Sequence, residues 1–261
     1  MSEPVWTPDP RAVAASPMQR FIEAHGFESY EQLHAWSVNE PEAFWGRLWD
    51  AMGIVGERGD RTLERGDTMR STRFFPDALL NVAENILWGD GASDDQPMIL
   101  ETDERGGPVR SITRGEARAA VAQIAAALRA DGVERGDVVA AWMPNTAATM
   151  LAMLGATAIG ATFTSTSSDF GVDGVLDRFQ QVAPKVLIAA DGYSYGGKRV
   201  DCLERLEQIR AGLPTLRRTI VVSVLGVEAP EELTPWADWL APHEGAAPHF
   251  EALPFDHPWY V

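Results

Sequence analysis

One cysteine, two lysines and five histidines are all that 261 residues offer of the usual thiol, ammonium and imidazole chemistry. The single thiol, Cys202, excludes an internal disulfide framework and suits a reducing compartment, so the expected setting is cytoplasmic. His25, His34, His243, His249 and His257 are scattered, and none has a second ligand at helical or short-loop spacing, so no metal site is expected. No long hydrophobic run occurs. The most apolar stretch, Thr146 to Thr164, is built of Ala, Met and Gly with several Thr. It reads as a buried helix running into a buried strand and not as a membrane span. Met1 to Pro10 has neither a basic start nor an apolar run, so no signal peptide is expected. No G-x-G-x-x-G follows an expected strand, and neither a G-x-x-x-x-G-K-[ST] loop nor a G-x-S-x-G elbow is present, so no catalytic residue is assigned. A formal net charge of −16 argues against nucleic acid and anionic membrane surfaces. A polyanionic ligand would need a local basic spot, which makes Lys185 and Lys198 conspicuous among twenty arginines.

What is present is periodic. Ser16-Pro17 supplies an N-cap and a first-turn proline for a helix ended by Gly26. Ser29 to Gln32 forms a capping box for a second helix through Trp36. Pro41 opens a third, with Phe44, Trp45, Leu48, Trp49 and Met52 on one face. That stripe is expected to dock on the following domain, and Asp60 to Arg73 reads as an exposed linker. A further helix is expected from about Pro76 to Trp88. Met98–Glu101 and Val109–Ile112 then flank a Gly-containing turn, a hairpin signal. Thr113 to Glu116 is another capping box, opening a helix with Ala117, Val121, Ile124 and Leu128 inward and Gly132 at its end.

From there strands and helices alternate. Strands are expected at Val138–Met143, Ala161–Thr166, Val186–Ala190 and Thr219–Val224. Helices fall at Thr146–Ala158, Val172–Gln181 and Leu203–Ala211. Near-continuous apolar strands separated by ten-residue helices imply an α/β fold with a largely parallel sheet covered on both faces. A small helical extension and the hairpin would precede it. Two loops lie beyond strand ends, where such sheets place ligands. Gly192 to Lys198 is either an anion-accepting glycine loop or a solvated turn. Ser165 to Gly171 is either a ligand loop or a cap, from Ser168 or Asp169, for the helix beginning near Val172. After Leu225 regularity fades, and the apolar aromatic ending Trp259-Tyr260-Val261 reads as a strand cut from its continuation.

Four stretches resemble one family. Phe74 to Leu87 and the Trp-rich segment before it, with Phe44-Trp45, are similar to the entry segment of acetoacetyl-CoA synthetases. Gly132 to Ala140 leading to Met143-Pro144-Asn145 resembles a run shared by adenylate-forming acyl-CoA synthetases. Ser168 to Gly171, Asp177 to Phe179, Pro184-Lys185 and Asp191 to Tyr193 resemble the acetoacetate branch more than the acetyl branch. The resemblance implies a division into residues 1–72, a helical N-terminal extension, and residues 73–261, the first α/β subdomain of the adenylate-forming large domain, a partial copy ending before the phosphate loop. It implies a ligase that joins acetoacetate to coenzyme A with ATP and magnesium through an acyl-adenylate. Those small molecules would be the partners of the whole enzyme, and the 261 residues alone would be inactive and hold no cofactor. It also implies that Ser167, Ser168, Asp169 and Phe170 pack on the coenzyme A adenine, and that Tyr195 and Lys198, with Arg199 beside it, meet its phosphates. Tyr195 stands where the pattern has a base and Asp169 where it has a glycine, so Lys198 carries the phosphate contact. A surface exposed where the rest would dock could be buried in a homodimer. Three other readings stay open: another short-chain acyl-CoA synthetase, a stand-alone binding module, and an unrelated doubly wound enzyme.

Overall fold

The computed structural model describes residues 5–91, 93–104 and 106–261. They form two compact units, one of residues up to 54 together with 59–77, the other of 55–58 together with 78–261.

In the first unit four helices follow one another: α1 (Pro10–Ala14), α2 (Pro17–Ala24), α3 (Tyr30–Asn39) and α4 (Pro41–Met52). Ser16 and Ser29 cap α2 and α3 by accepting from Gln19 N–H at 3.1 Å and Gln32 N–H at 3.4 Å. The aromatic residues of the α4 stripe pack inside their own unit, while Met52 is exposed. Phe44 packs edge-on against Phe21 and Trp36, Trp45 against Phe74, and Trp49 lies 4.7 Å from Phe75. The segment expected to be a linker is folded as well. Residues 63–64 pair antiparallel with 73–74, and Arg61 Nε donates to Asp77 at 2.8 Å. Two-residue strands carry no readable alternation, which is why charge and glycine alone suggested a linker.

The second unit begins with α5, shorter than expected at Val82–Trp88. Asn81 starts it by accepting from Ala83 N–H at 2.9 Å. Leu79-Leu80 before it is extended and pairs with Gly56-Glu57. Strands β1 (Pro97–Glu101) and β2 (Arg110–Thr113) form the hairpin, and α6 (Arg114–Ala130) follows under a complete Thr113–Glu116 capping box. The alternating part runs β3 (Val138–Trp142), α7 (Ala147–Ala158), β4 (Thr162–Thr166), α8 (Val172–Phe179) and β5 (Val186–Ala190). Next come β6 (Gly192–Tyr195) and β7 (Lys198–Asp201), then α9 (Leu203–Ala211), β8 (Arg218–Val222), β9 (Thr234–Pro235) and α10 (Trp236–Leu240).

Five strands make one parallel sheet in the order β9-β8-β5-β3-β4. Successive side chains leave opposite faces. Val139, Ala141 and Ile188 therefore enter the core beneath α6 and α7, while Ala140, Trp142 and Leu187 enter the core beneath α8 and α9. Every β5 residue is buried, as expected for a strand covered on both sides. Beyond β4, Phe163 N–H donates to Trp259 C=O and Val261 N–H donates to Phe163 C=O, each at 3.0 Å, which lays residues 259–261 parallel to the edge strand. No helix among the described residues is long and apolar enough to cross a membrane.

Candidate functional site at the strand ends

Reading from the β4 edge, the strands appear in the chain order second, first, third, fourth, fifth. The order reverses between β3 and β5. Open α/β sheets bind ligands outside the carboxyl ends of the strands at such a reversal, because the loops leave there in opposite directions and open a crevice. A crevice of about 540 Å³ lies there. Its walls come from Asn145 after β3, Tyr193 and Ser194 after β5, Ser223 after β8, and Glu101, Glu104, Pro108 and Arg110 of the β1–β2 hairpin.

Three carboxylates set its shape. Asp191, fully buried at the end of β5, accepts from the N–H groups of Val224, Leu225 and Val227 at 2.8, 2.9 and 2.9 Å. It thereby folds the loop after β8 around itself. Glu101, at the end of β1, accepts from Ala147 N–H at 2.9 Å and so caps α7, where an acidic group is favoured by the unpaired amides and the helix dipole. Arg110 stands 3.4 Å from the same carboxylate. Glu104 accepts from Gly196 N–H at 2.9 Å and Gly197 N–H at 3.0 Å.

That last contact explains what the glycine loop is. Gly192 to Asp201 is not a loop but the β6–β7 hairpin, with Gly196 and Gly197 at φ 57° and 75° as its two-residue turn. Glycine takes successive positive φ values at no steric cost, and the conformation matches the twist of the flanking strands. Glycine-glycine between short β-rich runs was the sequence signal for this hairpin. Lys198 pairs across it with Tyr195, which is 76% exposed, and Arg199 donates to Leu225 C=O.

Ser167 to Phe170 form the turn between β4 and α8, closed by Phe170 N–H donating to Ser167 C=O at 3.1 Å. The cap expected from Ser168 or Asp169 is not made, since α8 begins after Gly171 without a side-chain cap. Ser168 instead points inward, 1% exposed, with its hydroxyl unpartnered. Asp169 is exposed, and the Arg178 guanidinium lies 4.6 Å above the Phe170 ring. Arg205 of α9 reaches the Ser168 carbonyl and the Cys202 sulfur, both at 3.4 Å, and lies over Trp142. Burial pushes the Cys202 thiol up to about 11, so it stays protonated at neutral pH and is no nucleophile. Among the described residues no hydrogen bond joins the 167–170 turn to Tyr195, Lys198 or Arg199. The sequence had no means to locate Glu101, Glu104 or Asp191, whose partners lie far away in the chain or are main-chain amides. The main-chain donors at this end of the sheet are thus taken by the chain's own carboxylates.

Residues 93–258 match the sequence profile of the AMP-binding enzyme family, well over half of the chain. The chain belongs to the AMP-binding enzyme family. Residues 30–86 also match the profile of the acetyl-coenzyme A synthetase N-terminus. An acetoacetyl-coenzyme A synthetase of Rhizobium meliloti (strain 1021) is 40% identical over 269 residues, spanning 99% of this chain and 40% of that protein. A malonamoyl-CoA synthetase of Penicillium aethiopicum is 30% identical over 261 residues, spanning 94% of this chain and 36% of that protein. The solved acetoacetyl-CoA synthetase from Streptomyces lividans superposes with a TM-score of 0.89 at 38% identity, over 100% of this chain and 41% of that one. This member of the AMP-binding enzyme family therefore has the α/β fold of the N-terminal domain of an adenylate-forming enzyme; the strand pattern implies the parallel α/β sheet and the resemblance the particular domain. It spans about 40% of the length of the curated acetoacetyl-CoA synthetases it matches.

Proposed function

We propose that this chain is the N-terminal portion of an acetoacetyl-CoA synthetase and does not catalyse the reaction by itself. In the whole enzyme the acetoacetate carboxylate would attack the α-phosphorus of ATP and expel pyrophosphate. The thiolate of coenzyme A would then attack the acyl carbonyl and release AMP. The supporting observation is the match along nearly the whole chain to synthetases of which it covers about 40%. ATP and its magnesium belong, in this reading, to the portion of those relatives that the chain does not align with. Residues 1–72 are the helical extension and 73–261 the first α/β subdomain. The cytoplasm is the location, and a homodimer would use the surface left for the rest of the enzyme. The malonamoyl-CoA synthetase relative favours one second reading, a ligase for another short acyl group.

The part assigned to this chain is coenzyme A. Ser167, Ser168, Asp169 and Phe170 would receive the adenine end, and Lys198, flanked by Tyr195 and Arg199, would meet the phosphates. Lys198 is exposed on the β6–β7 hairpin, whose Tyr193 and Ser194 line the switch-point crevice, in an acidic chain where a local cation matters most. In the full-length enzyme, Lys198→Ala should raise the KM for coenzyme A by about tenfold, the size of one charge-assisted contact, and leave acetoacetate-dependent pyrophosphate exchange intact. Unchanged coenzyme A kinetics would remove Lys198 from the site. Pyrophosphate exchange by the purified 261 residues would refute the assignment of catalysis to the remaining portion.

A further inference from the structure

Among the described residues, one main-chain hydrogen bond closes the turn from Ser167 to Phe170, and α8 after it begins with no side-chain cap. The Ser168 hydroxyl, aimed inward, adds no bond of its own. Two arginines from different helices hold the turn instead. At its exposed end the Arg178 guanidinium of α8 covers the Phe170 ring. On its inner side Arg205 of α9 donates from Nη1 to the Ser168 carbonyl at 3.4 Å. Arg205 is itself fixed. Its other terminal nitrogen lies 3.4 Å from Cys202 Sγ, and its charge sits 5.1 Å from the centre of the Trp142 ring. Trp142 is fully buried at the end of β3, in register with Thr166 at the end of β4, and packs in the core beneath α8 and α9. One guanidinium thus ties the turn to the last residue of β3 and to the start of α9. Arginine suits this place because a flat, delocalised group covers a ring with its face while donating from its edge, whereas lysine concentrates its charge at one point. Half-buried and on the side of the turn where Ser168 is 1% exposed, Arg205 acts on the turn and not on what the turn meets.

We propose that Arg205 is a positioning residue for coenzyme A: by holding the Ser168 carbonyl against the end of β3, it sets the shape in which the 167–170 turn receives the adenine end. The role rests on the coenzyme A reading given above. A turn released from Arg205 samples other shapes, and only the fraction in the receptive one binds, which lowers the apparent affinity by that fraction. No bond is made or broken through Arg205, so adenylation does not sense its loss.

The test is the steady-state kinetics of the full-length enzyme carrying Arg205→Ala. The KM for coenzyme A should rise about fivefold, within the range of one hydrogen bond, while kcat and acetoacetate-dependent pyrophosphate exchange stay unchanged. The two halves of coenzyme A separate positioning from general damage. Adenosine 3′,5′-bisphosphate has the adenine end and no thiol arm, and its inhibition constant against coenzyme A should rise by the same factor. Phosphopantetheine has the arm and no adenine, and its inhibition constant should stay where it is. Equal weakening of both halves means that the protein has loosened at large and overturns the proposal, as does an unchanged KM for coenzyme A. If Arg205→Ala fails to fold, Arg205→Lys decides instead, since it keeps a charge on a long side chain and gives up the planar fork. The same split between the halves is expected there, and an unchanged KM overturns the proposal equally. Phe170→Ala separates the role of Arg205 from the reading beneath it. A raised KM in Phe170→Ala with an unchanged one in Arg205→Ala leaves the coenzyme A turn standing and removes Arg205 alone. No change in either variant removes the adenine contact from the turn, and the role of Arg205 with it.

Discussion

A carboxylate as deeply enclosed as Asp191 is tolerable only because donors surround it: three main-chain N–H groups and, at 3.4 Å, the Ser223 hydroxyl. Asp191→Asn keeps the shape but turns one acceptor oxygen into a donor facing amides that can only donate. The substitution should cost about 2–3 kcal/mol, the range for losing charge-assisted bonds and stranding buried donors. It would appear as a lower urea midpoint with an unchanged slope. Its position just past β5 was legible as a strand end, but its role was not, because the partners are backbone groups of a loop 33 to 36 residues on. The same holds for Ser168. A serine ahead of a helix has the pattern of a cap, yet α8 begins at Val172, where it was expected, with Gly171 at its N-cap and the Ser168 hydroxyl turned into the interior. Asp77 carries a pH consequence. Hydrogen bonds from Arg61 hold its carboxyl below the usual aspartate range. Whatever the pair contributes is therefore complete above that usual range and lost as pH falls through the lowered value.

Helices α6 and α7 pack tightly where Gly155 faces Ile124. A Cβ at Gly155 would lie 2.4 Å from Ile124 Cγ2, inside a core with no room to yield. Gly155→Ala should therefore destabilise by about 1–3 kcal/mol despite the better helix propensity of alanine. Ile124→Ala removes the clashing Cγ2, so the double variant should lose less than the two single variants added together, and thermal melts of all three measure the coupling. At this scale much of the fold could be read from the chain. The parallel strands announce themselves as short apolar runs, and the capping box and glycine of α6 mark both its ends. The elements that escaped are those whose formation depends on a distant partner. The 63–64 and 73–74 pair is too short for periodicity, and the 79–80 strand, with its cap Asn81, was absorbed into a longer expected helix. Asn81 stands 1% exposed and donates to Thr157 C=O at 3.0 Å and to Glu251 C=O at 2.9 Å, contacts no local window contains.

Across the molecule the two compact units differ in how much they bury. In the first, Ile22 and Leu33 are the buried apolar side chains among the described residues, and the aromatic rings around α4 remain partly exposed. In the second, two cores enclose the sheet from both faces. Regions with few buried apolar contacts open at lower free energy. Hydrogen exchange should accordingly release the amides of 17–52 well before those of 138–142 and 186–190. Equal protection of both sets would contradict this ranking.

The path of the chain between the units bears on where the protein can be cut. It enters the second unit at 55–58, returns to the first for 59–77, and then re-enters the second. Val55 N–H donates to the Asn85 side chain and the Val55 carbonyl accepts from it, each at 2.8 Å, while Gly56-Glu57 pairs with Leu79-Leu80. A shortened protein begun at residue 73 would therefore start the α/β unit without its own first strand, stranding the polar groups that Val55 and Glu57 now satisfy. One begun at residue 55 keeps that strand and carries 59–77 as an excursion tied at both ends. For anyone wishing to isolate the sheet and its crevice, the useful boundary lies upstream of Val55, where a single crossing leaves the second unit whole.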